Sequence, residues 1–285
     1  MSAPSLALVG QSLLSGVFIG ALYGLLGLGL SLSWGLLRQI NLAHFALAFL
    51  GAYLTYQLSS AGGIDPMLTL ALIVPAFFIF GAALHWLFAR FAVSAFNSLL
   101  ITFGLTVMIE SAMQWIWSAD FRRLESSYAG VKFRLGALYL PLPELITLAL
   151  AVMLCFAAWA LLRYTDTGKA MRAAAEDAPI AAAFGVNQRA LALLLSGASA
   201  AFAGVAGMCI ALSFTLAPAQ LYAWIGVVLA AVMLGGIGSA LGPLVAGVVI
   251  GVSEALTMAV AAPSWAPLVS FSLLIAVLIL RPERI

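Results

Sequence analysis

The sequence predicts an all-α membrane protein, a polytopic helical bundle of eight to ten transmembrane helices, with nine as the count that fits best. Of its 285 residues, 65% are hydrophobic and only 8% are charged, whereas soluble proteins carry roughly 25% charged residues. Apolar stretches long enough to span a bilayer, about 20 residues each, recur from one end of the chain to the other. No stretch is polar enough for a separate soluble domain, so residues 1–285 are expected to form a single membrane domain.

Nine apolar runs, separated by polar or glycine-containing segments, are the candidate spans. The first 14 residues contain no Lys or Arg, so no signal peptide is predicted and the first run is expected to remain in the mature protein. The runs cover residues 6–33, 42–58, 67–89, 97–118, 142–162, 190–214, 222–235, 243–260 and 266–280.

The basic residues predict how these runs cross the membrane, because cytoplasmic segments of membrane proteins are enriched in Lys and Arg. If segment 163–189 is cytoplasmic, most of the 12 basic residues lie inside, the N-terminus lies outside and the C-terminus is cytoplasmic. The inside set is Arg38, Arg90, Arg163, Lys169, Arg172, Arg189, Arg281 and Arg284, and the outside segment 119–141 holds Arg122, Arg123, Lys132 and Arg134.

Composition argues against several other classes of protein. A net charge of +2 without a basic stripe does not indicate nucleic-acid binding. The two cysteines and two histidines are not at metal-ligand spacing. No phosphate-binding Gly-rich loop or intramembrane serine motif is present, so the sequence predicts a transport subunit and not an enzyme.

The outside segment 119–141 is expected to hold a small folded element. Residues 128–140 mix β-forming residues with Gly130 and Gly136, a composition compatible with a short hairpin. Two interpretations remain open: a contact surface for a substrate-delivery protein, or a structured connector.

The cytoplasmic segment 163–189 predicts two short helices joined by a turn. Thr165 or Asp166 can cap a helix through residues 170–175. Asp177 can cap a second helix with Pro179 in its first turn, and Gly185 can end it in the left-handed conformation.

On the second helix, Ile180 and Phe184 lie four residues apart on one face among alanines. Such a helix suits insertion into a groove of another protein, with a charged rim of Arg172, Glu176 and Asp177. Packing against the chain's own bundle is the alternative.

This segment resembles the coupling loop of the branched-chain amino-acid ABC transporter permeases, in particular the LivH-like half of the permease pair. The matching residues are Arg163, Gly168, Arg172, Ala175, Glu176, Asp177, Ala182, Gly185, Val186 and Asn187. A second family motif follows the first span: Ile40, Asn41, Ala43 and His44 match it, while Leu42 and Phe45 depart from it. The glycine-rich family motif is represented by Gly235, Gly236, Gly238, Ser239, Gly242, Gly251, Glu254 and Ala255, and Arg281-Pro282 resembles the family's ending.

The resemblance implies an importer subunit of the bacterial inner membrane. It implies docking onto ATPase subunits through Gly168, Arg172, Glu176, Asp177, Ile180, Phe184 and Gly185. The implied partners are a LivM-like second permease subunit, two LivG/LivF-like ATP-binding subunits that hold ATP-Mg, and a periplasmic substrate-binding protein. The solute is implied to be a branched-chain or other hydrophobic amino acid, while relatives carry urea, amides or aromatic acids.

Polar and glycine-rich interruptions predict discontinuous helices near residues 35–51 and 235–251. Breaks at membrane depth are tolerated where the backbone is buried or lines a cavity, and paired breaks indicate a path between two repeats. Ordinary cytoplasmic turns are the alternative. The predicted path residues are Asn41, His44, Thr102, Thr106, Glu110, Gly236, Gly238, Ser239 and Glu254.

Glu110 and Glu254 lie within spans, where a carboxylate normally faces a partner or a wet cavity. They could bind a substrate amino group or hold two helices together. They could also be protonation sites of an ion-gradient-driven secondary transporter, which is the alternative function. Segment 163–189 favours the ATP-driven importer, because an ion-driven carrier does not need a docking element.

Overall fold

The computed structural model describes residues 6–91, 93–260 and 265–280. Apart from the connecting loops, the elements in these ranges are helices, one β-hairpin and a short 3-10 turn, so the predicted all-α fold is confirmed. The helices are α1 (Leu6–Leu37), α2 (Ala43–Ser60), α3 (Pro66–Arg90), α4 (Ala95–Trp117), α5 (Leu142–Tyr164), α6 (Asp166–Glu176), α7 (Ala178–Ala183), α8 (Gln188–Ser213), α9 (Leu221–Gly235), α10 (Gly242–Val260) and α11 (Ala266–Leu280); the strands are β1 (Lys132–Leu135) and β2 (Leu138–Pro141).

Each of the nine predicted apolar runs coincides with one of the long helices, α1–α5 or α8–α11. Within the described ranges, seven segments are long and apolar enough to cross a membrane. The helices α2 and α11 are not among them. The multi-pass membrane character is therefore confirmed, and the count of nine crossings stays a prediction.

The extended end of α1 is the largest difference from the predicted bounds. The predicted run ends at residue 33, whereas α1 continues to Leu37. Its last turn packs against the connection between α9 and α10, where Gly35 and Gly238 bring their backbones together. The added residues, 34–37, are Trp, Gly, Leu and Leu, so the apolar run itself continues to the observed end of the helix.

Helix α1 packs most extensively against α10. The two helices are antiparallel, because Gly16, Gly20 and Gly24 face Val252, Gly247 and Leu244 in reverse order. Small residues at helix interfaces let backbones approach closely in membrane proteins. This glycine face makes the α1–α10 pair the packed centre of the bundle.

The pair of α3 and α8 repeats this arrangement. These helices are also antiparallel, with Gly81 against Ser196 and Ala200, and Phe77 against Gly204. The contacts of α1–α4 correspond to those of α8–α11 when α1 is matched with α8, α2 with α9, and α3 with α10. The contact of α1 with α10 then matches that of α8 with α3, and the contact of α2 with α8 matches that of α9 with α1. The first and last four helices therefore form two repeats that run in opposite directions along the bundle.

The connecting segments gather at two opposite ends of the bundle. At the α6–α7 end, Arg38 contacts Ala175, and Arg90 and Arg189 line one shared pocket. The predicted inside and outside basic residues thus separate between the two ends wherever they are described. Arg281 and Arg284 lie outside the described residues.

The opposite end carries the predicted β-hairpin. Strands β1 and β2 pair antiparallel around Gly136. Tyr139 exchanges two hydrogen bonds with Gln11 of α1, at 2.9 and 3.1 Å. The Tyr128 hydroxyl donates to Asp65 Oδ2 at 2.6 Å, and this hydrogen bond raises the pKa of Tyr128. The hairpin is therefore held onto the bundle.

Candidate functional site

The α6–α7 hairpin forms with the predicted caps. Thr165 Oγ1 accepts from the Gly168 N–H at 3.0 Å, and Asp177 Oδ1 accepts from the Ile180 N–H at 3.0 Å. Gly185 has a φ of 85°, in the left-handed region. Because Thr165 is the cap, α6 begins at Asp166 and is longer than the predicted helix through residues 170–175.

The position of Gly168 in the hairpin leaves no room for a side chain. A Cβ at this position would overlap the backbone of Leu161 and Leu162 in α5. The first turn of α6 therefore lies directly against the end of α5.

The apolar face predicted for docking is uncovered. Ile180 is 57% exposed and Phe184 is 86% exposed, whereas Ala181 is 4% exposed and faces inward. Glu176, Asp177 and Arg172 are exposed beside this face. The chain's own bundle leaves both apolar side chains in contact with solvent, in contrast to the alternative that α7 packs onto it.

Arg38 connects this hairpin to the break between α1 and α2. Its guanidinium Nη2 donates to the Ala175 carbonyl oxygen at 3.1 Å. Its φ of 54° is left-handed, a conformation that costs a non-glycine residue roughly 1–2 kcal/mol. The hairpin itself is closed by a hydrogen bond from Gln188 Nε2 to the Ala178 carbonyl. A strained residue at the break thus touches the hairpin directly.

Asn41 lies in the same break. Its Oδ1 is buried and has no hydrogen-bond partner among the described residues, and the same holds for Nδ1 of His85. Both residues line one cavity of about 20 Å³, which is large enough for one water molecule.

Three other predicted path residues face the packed interior. His44 is 1% exposed, and its Nε2 lies 2.9 Å from the Leu26 carbonyl oxygen of α1. Thr102 Oγ1 accepts from the Leu42 N–H at 3.2 Å, and the Thr106 hydroxyl donates to the Thr102 carbonyl at 2.8 Å. The first contact joins α2 to α1, the second joins α4 to the turn before α2, and the third lies within α4.

The second break, between α9 and α10, is recessed. Gly236 and Gly238 have φ values of 91° and 83°. The Gly238 N–H donates to Ser31 Oγ at 3.1 Å, and the Ser31 hydroxyl donates to the Ser239 carbonyl at 3.0 Å. Ser31 lies six residues before the end of α1, which corresponds to about 9 Å of helix. The turn therefore lies along α1 and not beyond its end.

The two intramembrane carboxylates have hydroxyl partners. Glu254 is 8% exposed and accepts from the Tyr23 hydroxyl at 2.9 Å and from Ser270. Glu110 accepts from the Tyr222 hydroxyl at 2.6 Å and from Gln114 Nε2 at 3.0 Å. Glu254 therefore joins α1, α10 and α11, and Glu110 joins α4 and α9.

The structure does not gather all predicted path residues around one cavity. Asn41 lies at the α6–α7 end, Glu110 lies towards the other end of α4, and Glu254 is enclosed between helices. Sequence reasoning missed Arg38 as a contact of the hairpin and Ser31 as the residue that holds the second break. Local sequence carries no signal for either, because their partners lie 137 and 208 residues away.

Comparisons with known proteins place this architecture in a family. A family model described as "Branched-chain amino acid transport system / permease component" matches residues 12–278. A comparison with solved structures gives no significant match.

Curated relatives agree with this match over nearly the full chain. The high-affinity branched-chain amino acid transport system permease protein LivH of Salmonella typhimurium is 28% identical over an alignment of 306 positions. This alignment covers 96% of this chain and 94% of that protein. LivH of Escherichia coli is 27% identical with the same coverage of both chains. The corresponding permease BraD of Pseudomonas aeruginosa is 25% identical, again over 96% of this chain and 94% of the relative. This chain therefore belongs to the family of permease components of branched-chain amino acid transport systems and is a LivH-like permease.

Proposed function

We propose that this chain is the permease subunit of an ATP-binding-cassette importer in the bacterial inner membrane, and that it carries branched-chain or other hydrophobic amino acids. The names of its relatives support the substrate class. The observation that carries the ATP-driven mechanism is the exposed pair Ile180 and Phe184 on a capped helix. Helix-in-groove recognition uses such a pair as its anchors.

In the proposed mechanism the α6–α7 hairpin acts as a lever, which means that it transmits the movement of the ATP-binding subunits to the membrane helices. The ATP-binding subunits would bind α7 in a groove and would themselves hold ATP-Mg. Their closure would move the hairpin. Gly168 would pass this movement to α5, and Arg38 would pass it to the α1–α2 break that holds Asn41. No cofactor on this chain and no catalytic residue is required.

The remaining partners follow from the same proposal. A second, LivM-like permease subunit would complete the solute path. A periplasmic binding protein would deliver the solute at the β1–β2 end, where Phe133 and Leu135 of β1 are 53% and 70% exposed.

Alanine substitutions at two phenylalanines test whether the hairpin docks onto the ATP-binding subunits. Phe184→Ala is expected to abolish co-purification of the ATP-binding subunits and ATP-dependent uptake, because truncating an interface anchor weakens binding by roughly 2 kcal/mol or more. Phe91→Ala is the matched control, since Phe91 is 71% exposed at the end of α3 and outside the hairpin. The readouts are subunit stoichiometry after affinity purification and uptake of labelled leucine.

Retention of both the ATP-binding subunits and normal uptake by Phe184→Ala would contradict the docking role. Leucine transport by reconstituted wild-type protein without ATP, driven by a proton or sodium gradient, would instead support the secondary-transporter alternative.

A further inference from the structure

A cavity of about 510 Å³ lies between the α6–α7 hairpin and the rest of the bundle. The end of α1, His85 of α3, the last turn of α6 and the first turns of α7 and α8 form its walls. It lies at the α6–α7 end, so in the predicted orientation it faces the cytosol. Its volume falls within the range typical of small-molecule sites, about 300–1,000 Å³.

One wall of this cavity is apolar. Leu37, Met171, Leu191 and Leu195 line it, and Met171 and Leu195 are each 5% exposed. Burying an aliphatic side chain against such a wall is favourable by about 25 cal/mol per Å². The wall therefore suits an aliphatic or other hydrophobic side chain.

Charges of both signs lie beside this wall. Arg38, Glu176 and Asp177 all line the cavity. Among the described residues no ion pair joins Arg38 to either carboxylate. Arg38 has one recorded hydrogen bond, to the Ala175 carbonyl, and its guanidinium carries five donors. Asp177 uses Oδ1 as a helix cap, which leaves Oδ2 available.

We propose that this cavity binds a free hydrophobic α-amino acid from the side of the membrane on which the hairpin lies. Arg38 binds the carboxylate, Glu176 and Asp177 bind the ammonium group, and the leucine–methionine wall receives the side chain. The two carboxylates disfavour a simple anion, and Arg38 offers a partner for a carboxylate that a simple cation would leave unused. The site is complementary to a zwitterion with an apolar side chain.

Occupancy of this site has a regulatory consequence. The ligand bridges α1 and α6 across the space through which the hairpin would move. It therefore opposes the lever motion and slows uptake when the imported amino acid accumulates. This consequence rests on the proposed function, whereas binding itself does not.

Equilibrium binding to the purified chain in lipid nanodiscs, without any partner subunit, tests the site. Wild-type protein is expected to bind L-leucine, and to bind 3-methylbutan-1-amine and N-acetyl-leucine at least tenfold more weakly, because each analogue lacks one charged group. Ala192→Leu fills the cavity and is expected to weaken leucine binding at least tenfold. Ala190→Leu is the matched control, since Ala190 is exposed two residues earlier on α8.

Arg38→Gln provides a second variant, which leaves the apolar wall of the cavity unchanged and removes the positive charge. It is expected to weaken leucine binding at least tenfold, in line with the loss of a charge-assisted hydrogen bond. The proposal is overturned if wild-type protein binds no leucine, or if Ala192→Leu, Arg38→Gln and Ala190→Leu all bind it as wild type does.

Proteoliposomes that contain the complete transporter test the regulation. Leucine on the hairpin side is expected to reduce the initial uptake rate of wild type. Leucine is expected to reduce the uptake rate of Ala192→Leu by a smaller fraction than that of wild type, when each is compared with its own rate without leucine on the hairpin side. Equal inhibition of wild type and Ala192→Leu would overturn the regulatory role. Absence of ATP-driven uptake in wild type would instead refute the proposed function, and the binding result would still stand.

Discussion

The buried carboxylate of Glu254 is held by neutral groups. Tyr23 of α1 and Ser270 of α11 both donate to it, and no cation forms an ion pair with it within the described ranges. A charged group in this environment is costly unless its hydrogen bonds are satisfied. These contacts favour the interpretation that Glu254 joins three helices over the interpretation that it binds solute or a transported proton.

Replacement of Glu254 by glutamine and by leucine distinguishes the two interpretations. Glu254→Gln is expected to retain at least half of the uptake rate, because the amide oxygen still accepts from Tyr23. Glu254→Leu is expected to lower stability by about 1–3 kcal/mol for each orphaned hydroxyl group. Thermal unfolding in detergent and leucine uptake are the measurements, and abolished uptake in a stably folded Glu254→Gln would favour proton coupling.

Glycine faces decide how the long helices pair. The contact of α1 with α10 is built on opposed glycines, and a Cβ at Gly247 would come within 2.5 Å of the Gly20 carbonyl oxygen. Gly104 of α4 has no neighbour within 4 Å of its Cβ position. The two positions are both helical glycines, yet only one of them is a point of backbone contact.

Alanine substitutions at these two glycines are expected to act in opposite directions. Gly247→Ala should destabilise the protein by about 1–3 kcal/mol, since overpacking forces backbone shifts. Gly104→Ala should leave the unfolding temperature unchanged or raise it, because alanine is favoured over glycine in helices by up to about 1 kcal/mol. A thermal unfolding series on both variants measures this, and equal effects would contradict the close approach of α1 and α10.

The two ends of the bundle differ in their connecting segments and in their basic residues. The α6–α7 end holds most of the described basic residues, and the β1–β2 end holds the outer segment 119–141. The antiparallel correspondence of α1–α4 and α8–α11 accounts for the paired breaks, one in each half. The path is then expected between the repeats or between two permease subunits.

Labelling of introduced cysteines tests the orientation. Cys155 and Cys209 are fully buried, so introduced thiols should dominate the labelling. Gly130→Cys is expected to react with a membrane-impermeant maleimide on intact spheroplasts, and Asp166→Cys only after membrane disruption. The Asp166 side chain is 99% exposed, so its protection must come from the membrane. The reverse pattern would invert the proposed topology.

Local features of the sequence were sufficient for the elements and for the hairpin. Hydrophobic runs locate the long helices because each run must remove its apolar side chains from water, into lipid or into the bundle. Thr165, Asp177 and Gly185 specify the hairpin because caps and left-handed turns are interactions within three or four residues. Ile180 and Phe184 are both exposed, as expected from their spacing of four residues, whereas their docking role stays a prediction.

The contacts of Arg38 with Ala175, of Ser31 with the α9–α10 turn and of Glu254 with Tyr23 were not predictable. Each joins residues more than 100 positions apart, and a single sequence contains no local pattern that pairs them. His44 is an example: its motif predicts a path residue, and the structure adds that its side chain is buried beside the Leu26 carbonyl of α1, a contact that local sequence does not indicate. Hydropathy and capping therefore determine which segments are helical, while close packing in three dimensions determines which polar groups face a cavity and which hold helices together.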